Sequence, residues 1–210
     1  MKPIKRAMVD KALAKKAWDL GNEVLYDLCK RHPTHKTDQE IIAKVWLIGR
    51  SYSAAIERHK IKSANAKGDK FYERKVAPKI RRSEIDKWLA RLKKEPTAAL
   101  AIETHSKLTN LFCDITKLKK RSLASKYLHF HFPKLFFIYD SRSVACINKI
   151  KLSAENELPS LSLKNPDTAY SDFYQRCQSL QENLQTKFGW KRKPLPREVD
   201  KILLHNADKV

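Results

Sequence analysis

An all-α protein is what this sequence predicts, and three observations carry the prediction. Only 4 glycines occur in 210 residues, too few for the turns of most β sandwiches or nucleotide-binding α/β sheets. Apolar residues recur at helical spacing along most of the chain. Helix-start signals, among them a Thr-x-x-Glu box and well-placed prolines, separate those stretches. At 42% hydrophobic and 32% charged the composition is that of a folded chain, long enough for one compact unit or two interlocked lobes.

The elements follow in order. Residues 10–31 place Leu13, Ala17, Leu20, Val24, Leu25 and Leu28 on a helical face, and Pro33 breaks the chain. Thr37 to Glu40, "TDQE", is a capping box that opens an apolar helix to about His59, with Gly49 in its middle as a mark of close packing. Residues 60–82 read as a basic connector punctuated by Gly68 and Pro78. Ser83 caps a helix whose apolar face is Ile85, Trp88, Leu89 and Leu92. Pro96 and Thr97 start another through Leu100, Ile102, Leu108 and Leu111. Residues 121–131 are helical, Pro133 ends them, and "KLFFIYD" is extended. Asp140 or Ser141 caps a helix to about Ile150; 151–165 is loop-like. "NPD", 165–167, starts a helix carrying Tyr170, Phe173, Tyr174, Cys177, Leu180 and Leu184. A last helix begins with Pro196 in its first turn. The total is eight to ten helices.

The net charge of +21 requires an anionic partner, and a nucleic acid backbone is the commonest. No apolar stretch of 18 residues is present, so no membrane span is expected, and the N-terminus lacks the apolar core of a signal peptide. The protein is therefore expected in the cytoplasm, or at the nucleoid in a prokaryote. Cys29, Cys113, Cys146 and Cys177 lie far apart, without metal-ligand spacing, and read as reduced thiols. No metal and no cofactor is called for. Ser122 has no readable His–Asp partners, which excludes a serine hydrolase pattern.

One stretch concentrates the chemistry. "KKRSLASKYLHFHFPKLFFIYD", 119–140, runs from positive charge through aromatics and histidines to a single carboxylate. Asp140 stands 18 residues after Ser122. "RSLAS" followed by "FFIYDSR" resembles the core of the helix-hairpin-helix DNA glycosylase superfamily over about residues 105–150. "RSLA" is most like the adenine glycosylase branch, and "ASKYLHF" is more like the archaeal 8-oxoguanine glycosylase branch. The resemblance implies a fold of two interlocked helical lobes around a central cleft. Residues 38–133 would form one lobe, and 1–37 with 134–210 the other.

The resemblance also implies roles. Asp140 would stabilise the sugar cation that develops as a base–sugar bond breaks. Ser122 stands where many relatives carry a lysine, which implies removal of the base by water. Lys126, one helical turn later, shares a face with Ser122 and is the candidate replacement amine. Lys117, Lys119, Lys120 and Arg121, with Arg142 beyond the aspartate, are the candidate phosphate grips. Tyr127, His129, Phe136, Tyr139 and Tyr52 are the candidates for lining a pocket around a flipped base. The family hairpin carries glycines, but Lys117 to Lys120 read "KLKK", which implies a grip through side chains rather than backbone amides. A different reading is a helical nucleic-acid-binding protein without chemistry, part of a repair or defence assembly. A third is an RNA base-modifying enzyme.

Overall fold

The computed structural model describes residues 4–58, 68–150, 152 and 167–207. Eleven α-helices and one π-helical turn make up its regular structure, and no strand element occurs among the described residues. The helices are α1 (Arg6–Leu13), α2 (Asp19–Arg31), α3 (Asp38–Ser51), α4 (Asp69–Phe71), α5 (Ala77–Arg81) and α6 (Ile85–Lys94). They continue with α7 (Ala98–Thr116), α8 (Arg121–His131), α9 (Ser141–Lys149), α10 (Thr168–Phe188) and α11 (Pro196–Asn206). The π turn, Tyr72–Val76, joins α4 to α5.

Local chemistry explains most boundaries. Thr37 Oγ1 accepts from the Glu40 N–H (3.3 Å) at the start of α3, and Thr97 Oγ1 does the same for Leu100 (3.3 Å) at α7. Ser83 bonds back to Ile80 O and accepts from Ile85 N–H, which turns the chain into α6. Asp140 and Asp167 cap α9 and α10. Gly49 packs where the chain after α3 folds back, and a Cβ there would lie 3.1 Å from Ala55 Cα.

The centre of the molecule is α8. Leu123 through Phe130 are all buried, so this helix is covered on every side, as a core helix must be. It packs against α2, α3 and α7. Near the other end of the chain, α11 packs against α1, α9 and α10, and α10 also meets α7. A continuous apolar cluster runs through both groups of helices.

Two segments differ from the expected pattern. The helix expected over 10–31 is divided by a turn at 14–18. The two pieces pack on different partners: α1 buries Val9 and Ala12, whereas α2 buries Asn22, Leu25 and Cys29. Leu20 and Val24, expected inside, are exposed. The basic connector is helical from Asp69 to Arg81, because Phe71, Tyr72, Val76, Ala77 and Ile80 are buried between its cations. Its earlier part, with Lys60, Lys62 and Lys67, lies outside the described residues, as does most of the loop expected at 151–165.

The turn from α7 to α8 bears on the glycine-free hairpin. Lys117 adopts φ +62°, the left-handed conformation that glycine takes at little cost. Thr116 Oγ1 receives the Leu118 N–H (3.2 Å) and closes the turn. The backbone thus makes the left-handed step with a lysine. Lys117→Gly is expected to stabilise the protein by about 0.5–1 kcal/mol, the relief of left-handed strain exceeding the entropy that glycine adds to the unfolded chain. Urea unfolding of the two proteins measures this, and a loss of stability would contradict it.

A candidate site around Lys126 and Asp140

The extended segment after α8 is fastened by side chains. Tyr139 N–H donates to Ser125 Oγ (2.9 Å), His129 Nδ1 bonds Phe136 O (2.8 Å), Tyr170 OH donates to Phe137 O (3.1 Å) and Tyr174 OH to Leu135 O (2.9 Å). An extended segment without a sheet needs such partners for its buried backbone groups. Helices α8 and α10 supply them, and they hold Asp140 at the first turn of α9. Asp140 Oδ1 accepts from the Arg142 N–H at 3.0 Å.

The other carboxylate oxygen faces α8. Lys126 Nζ donates to Ser122 Oγ (2.7 Å), to Tyr52 O (3.2 Å) and to Asp140 Oδ2 (3.4 Å). All three ammonium protons are therefore engaged. The Lys126 side chain is 2% exposed and that of Asp140 30%, so the pair runs from the interior to the surface. Burial pushes the Lys126 pKa down, and Asp140 opposes that shift.

Around this pair lies a polar layer between α2, α3, α8 and α11. Tyr52 OH donates to Asn22 Oδ1 (2.6 Å), and its ring faces both Lys126 Nζ and the Arg197 guanidinium. Tyr26 OH lies 2.7 Å from His129 Nε2. Because Nδ1–H serves Phe136 O, Nε2 accepts from the tyrosine. Asp200 is buried and pairs with Arg197, and its Oδ1 has no hydrogen-bond partner among the described residues. Burial lifts its pKa to about 6, with Arg197 and Lys126 holding it down and Asp140 pushing it up. Sequence reasoning missed Asp200 and Arg197. Their signal was an (i, i+3) pair just inside the helix that Pro196 starts, and nothing local separates it from an ordinary surface pair.

The expected residues divide between this layer and other places. Ser122, Lys126, Asp140 and the Tyr52 carbonyl meet. Tyr127, His129 and Phe136 are enclosed in the core. Tyr127 OH binds His35 Nε2 (2.6 Å), while His35 Nδ1 binds Asp86 Oδ1 (2.6 Å). Lys44, also buried, secures that corner through His32 O (2.8 Å) and Thr34 O (2.7 Å). Tyr139 is half-buried and packs on Tyr170 and Phe173. Of the cations, Lys117 and Lys119 are exposed at the turn, and Lys120 Nζ donates to Arg58 O. Arg121 Nε is held by both Asp167 oxygens (2.7 and 2.5 Å). Arg142 is exposed, in the first turn of α9.

Fold and site together define a cation-rich, all-helical protein with a lysine–aspartate pair set between its core and its surface. The chain belongs to the HI_0787_N family: the family model, described as an N-terminal domain, matches residues 4–135. Ser122 and Lys126 lie inside that match, and Asp140, Arg197 and Asp200 beyond it. No curated protein and no solved structure gives a significant match. Among the described residues no helix is long and apolar enough to cross a membrane, and no cluster of histidine, cysteine and carboxylate side chains could hold a metal ion.

Proposed function

We propose that this protein is a DNA N-glycosylase of the helix-hairpin-helix type, acting on a flipped, damaged or modified base. The observation that carries the reading is the meeting of Ser122, Lys126 and Asp140. A helix following a basic turn, and an extended segment ending in a capping aspartate, bring their functional residues to one point. In this reading α3–α8 form one lobe, α1 and α2 join α9–α11 in the other, and Asp140 stands at the cleft between them. Its partly exposed carboxylate would stabilise the sugar cation and orient water. The net charge of +21 suits a phosphate backbone.

The test is base release from oligonucleotides carrying a panel of lesions, with alkali to reveal abasic sites. Asp140→Asn is expected to lower the rate at least about a hundredfold, the usual cost of removing a preorganised electrostatic contact, while DNA affinity changes little. Base release as fast as that of the wild type would exclude Asp140 as the catalytic carboxylate.

The enclosure of Tyr127, His129 and Phe136 in the core favours a second reading, a nucleic-acid-binding protein without chemistry. It predicts binding to DNA with no base released from any lesion. Running the same panel on RNA separates an RNA-directed enzyme from both.

A further inference from the structure

On the outer side of the polar layer, a pocket of about 260 Å³ lies among the segment after α1, the start of α2, the first turn of α9 and one face of α11. Lys15, Arg142, Arg197, Lys201 and His205 line it, and so does Trp18. Among the described residues that line it, none is acidic. Lys201 is paired with Asp19 (2.7 Å), which is partly exposed, and Arg197 with Asp200, which is buried. Lys201 also donates to Lys15 O (2.9 Å), which fastens the segment carrying Lys15 and Trp18 to α11. The Arg197 Nε–H is buried without an acceptor among the described residues. The wall is thus preorganised and rich in donors. Trp18 is 76% exposed, an indole beside a concentration of positive charge.

These features suit one chemistry. A phosphate satisfies several cations through its oxygens, and a base next to it stacks on an exposed indole. The volume is slightly below the usual range for whole small-molecule ligands, which fits a phosphate and part of its sugar better than a complete cofactor. Arg142 and Arg197 also tie the pocket to the candidate site, because the Arg142 N–H caps on Asp140 and Arg197 faces Tyr52. We propose that the pocket holds one phosphate of a nucleic-acid strand among Lys15, Arg142, Arg197 and Lys201, with an unstacked base on Trp18. The inference rests on the reading of the protein as nucleic-acid-directed, but not on base removal.

Fluorescence anisotropy with labelled single-stranded and duplex oligonucleotides tests it. Lys15 and Arg142 are exposed, so replacing them opens no cavity. The double variant Lys15→Gln/Arg142→Gln is expected to bind about tenfold more weakly. The slope of log affinity against log salt should fall by about 1, as for one lost phosphate contact. Trp18→Leu should weaken single-strand binding without changing that slope. An oligonucleotide with a 5′-phosphate identifies the source: tighter binding than to its 5′-hydroxyl twin, lost in the double variant, assigns a terminal phosphate, and equal binding assigns an internal one. Unchanged affinity and slope in the double variant would overturn the proposal. If no lesion is processed but binding still depends on Lys15 and Arg142, the pocket stands and the glycosylase reading falls. If base is released while binding ignores the pair, the outcome is the reverse.

Discussion

Acidification is expected to unfold this protein, with most of its stability lost between about pH 6.5 and pH 4. Four imidazoles cause the loss. His35, His105, His129 and His131 have depressed pKa values, and burial is the largest cause for each. Lys44 adds to the effect at His35 and His131, and Asp86 only partly offsets it at His35. In the unfolded chain an imidazole takes a proton near pH 6.5, but in the fold His35 and His129 do so only near 4. Between those values the unfolded state binds more protons, so stability falls as the pH falls. Each of these two histidines contributes about 3 kcal/mol at neutral pH. Together they approach the whole stability of an ordinary domain, about 5–15 kcal/mol. Asp200 acts in the opposite sense. Its pKa is raised to about 6, so the folded state takes that proton first and gains stability as the pH drops from 6. One carboxylate does not cancel four imidazoles. Urea unfolding followed by circular dichroism at pH 7, 5.5 and 4.5 measures the sum. A stability unchanged across that series would contradict the burial of neutral histidines.

How legible all this was depends on the distance over which each signal acts. Caps act within one turn, so Thr37, Thr97, Asp140 and Pro196 could be placed from sequence. Helical spacing shows that a face is apolar, but not that a partner covers it. Leu20 and Val24 satisfied the spacing and are exposed, while Asn22 on the same helix is buried, where Tyr52, just after α3, donates a hydrogen bond to its Oδ1. Dense charge concealed the helices at 69–81, where Phe71, Val76 and Ile80 are the informative residues. At the candidate site, the Ser122–Lys126 contact is an (i, i+4) pair and was foreseeable. Asp140 arrives over 14 residues through an extended segment whose fastenings come from α8 and α10. The destination of Tyr127 was hidden entirely, since its partner His35 is 92 residues away.

Replacing Lys126 by alanine is expected to cost about 3–5 kcal/mol, mostly from the cavity left by its buried stem and the acceptors left without a donor. The alanine leaves Ser122 Oγ, Tyr52 O and Asp140 Oδ2 without the donor they now share. Lys126→Met keeps the volume of the stem and should cost less, because packing around α8 is preserved. A cycle with Asp140→Asn separates the pair from its surroundings. The 3.4 Å contact and the partial exposure of Asp140 lead to a coupling of about 1 kcal/mol, so most of the loss in Lys126→Ala survives in the double variant. A coupling as large as the whole loss would mean that Asp140 alone requires the lysine, and that Ser122 and Tyr52 do not. The methionine variant also bears on chemistry. A Schiff base forms only from a neutral, unengaged amine, whereas Lys126 has all three donors occupied and faces a carboxylate. Borohydride is therefore expected to trap no adduct between the wild-type protein and a damaged oligonucleotide, and base release should persist in Lys126→Met. A trapped adduct that disappears in that variant would instead make Lys126 the nucleophile, with burial lowering its pKa toward the reactive form.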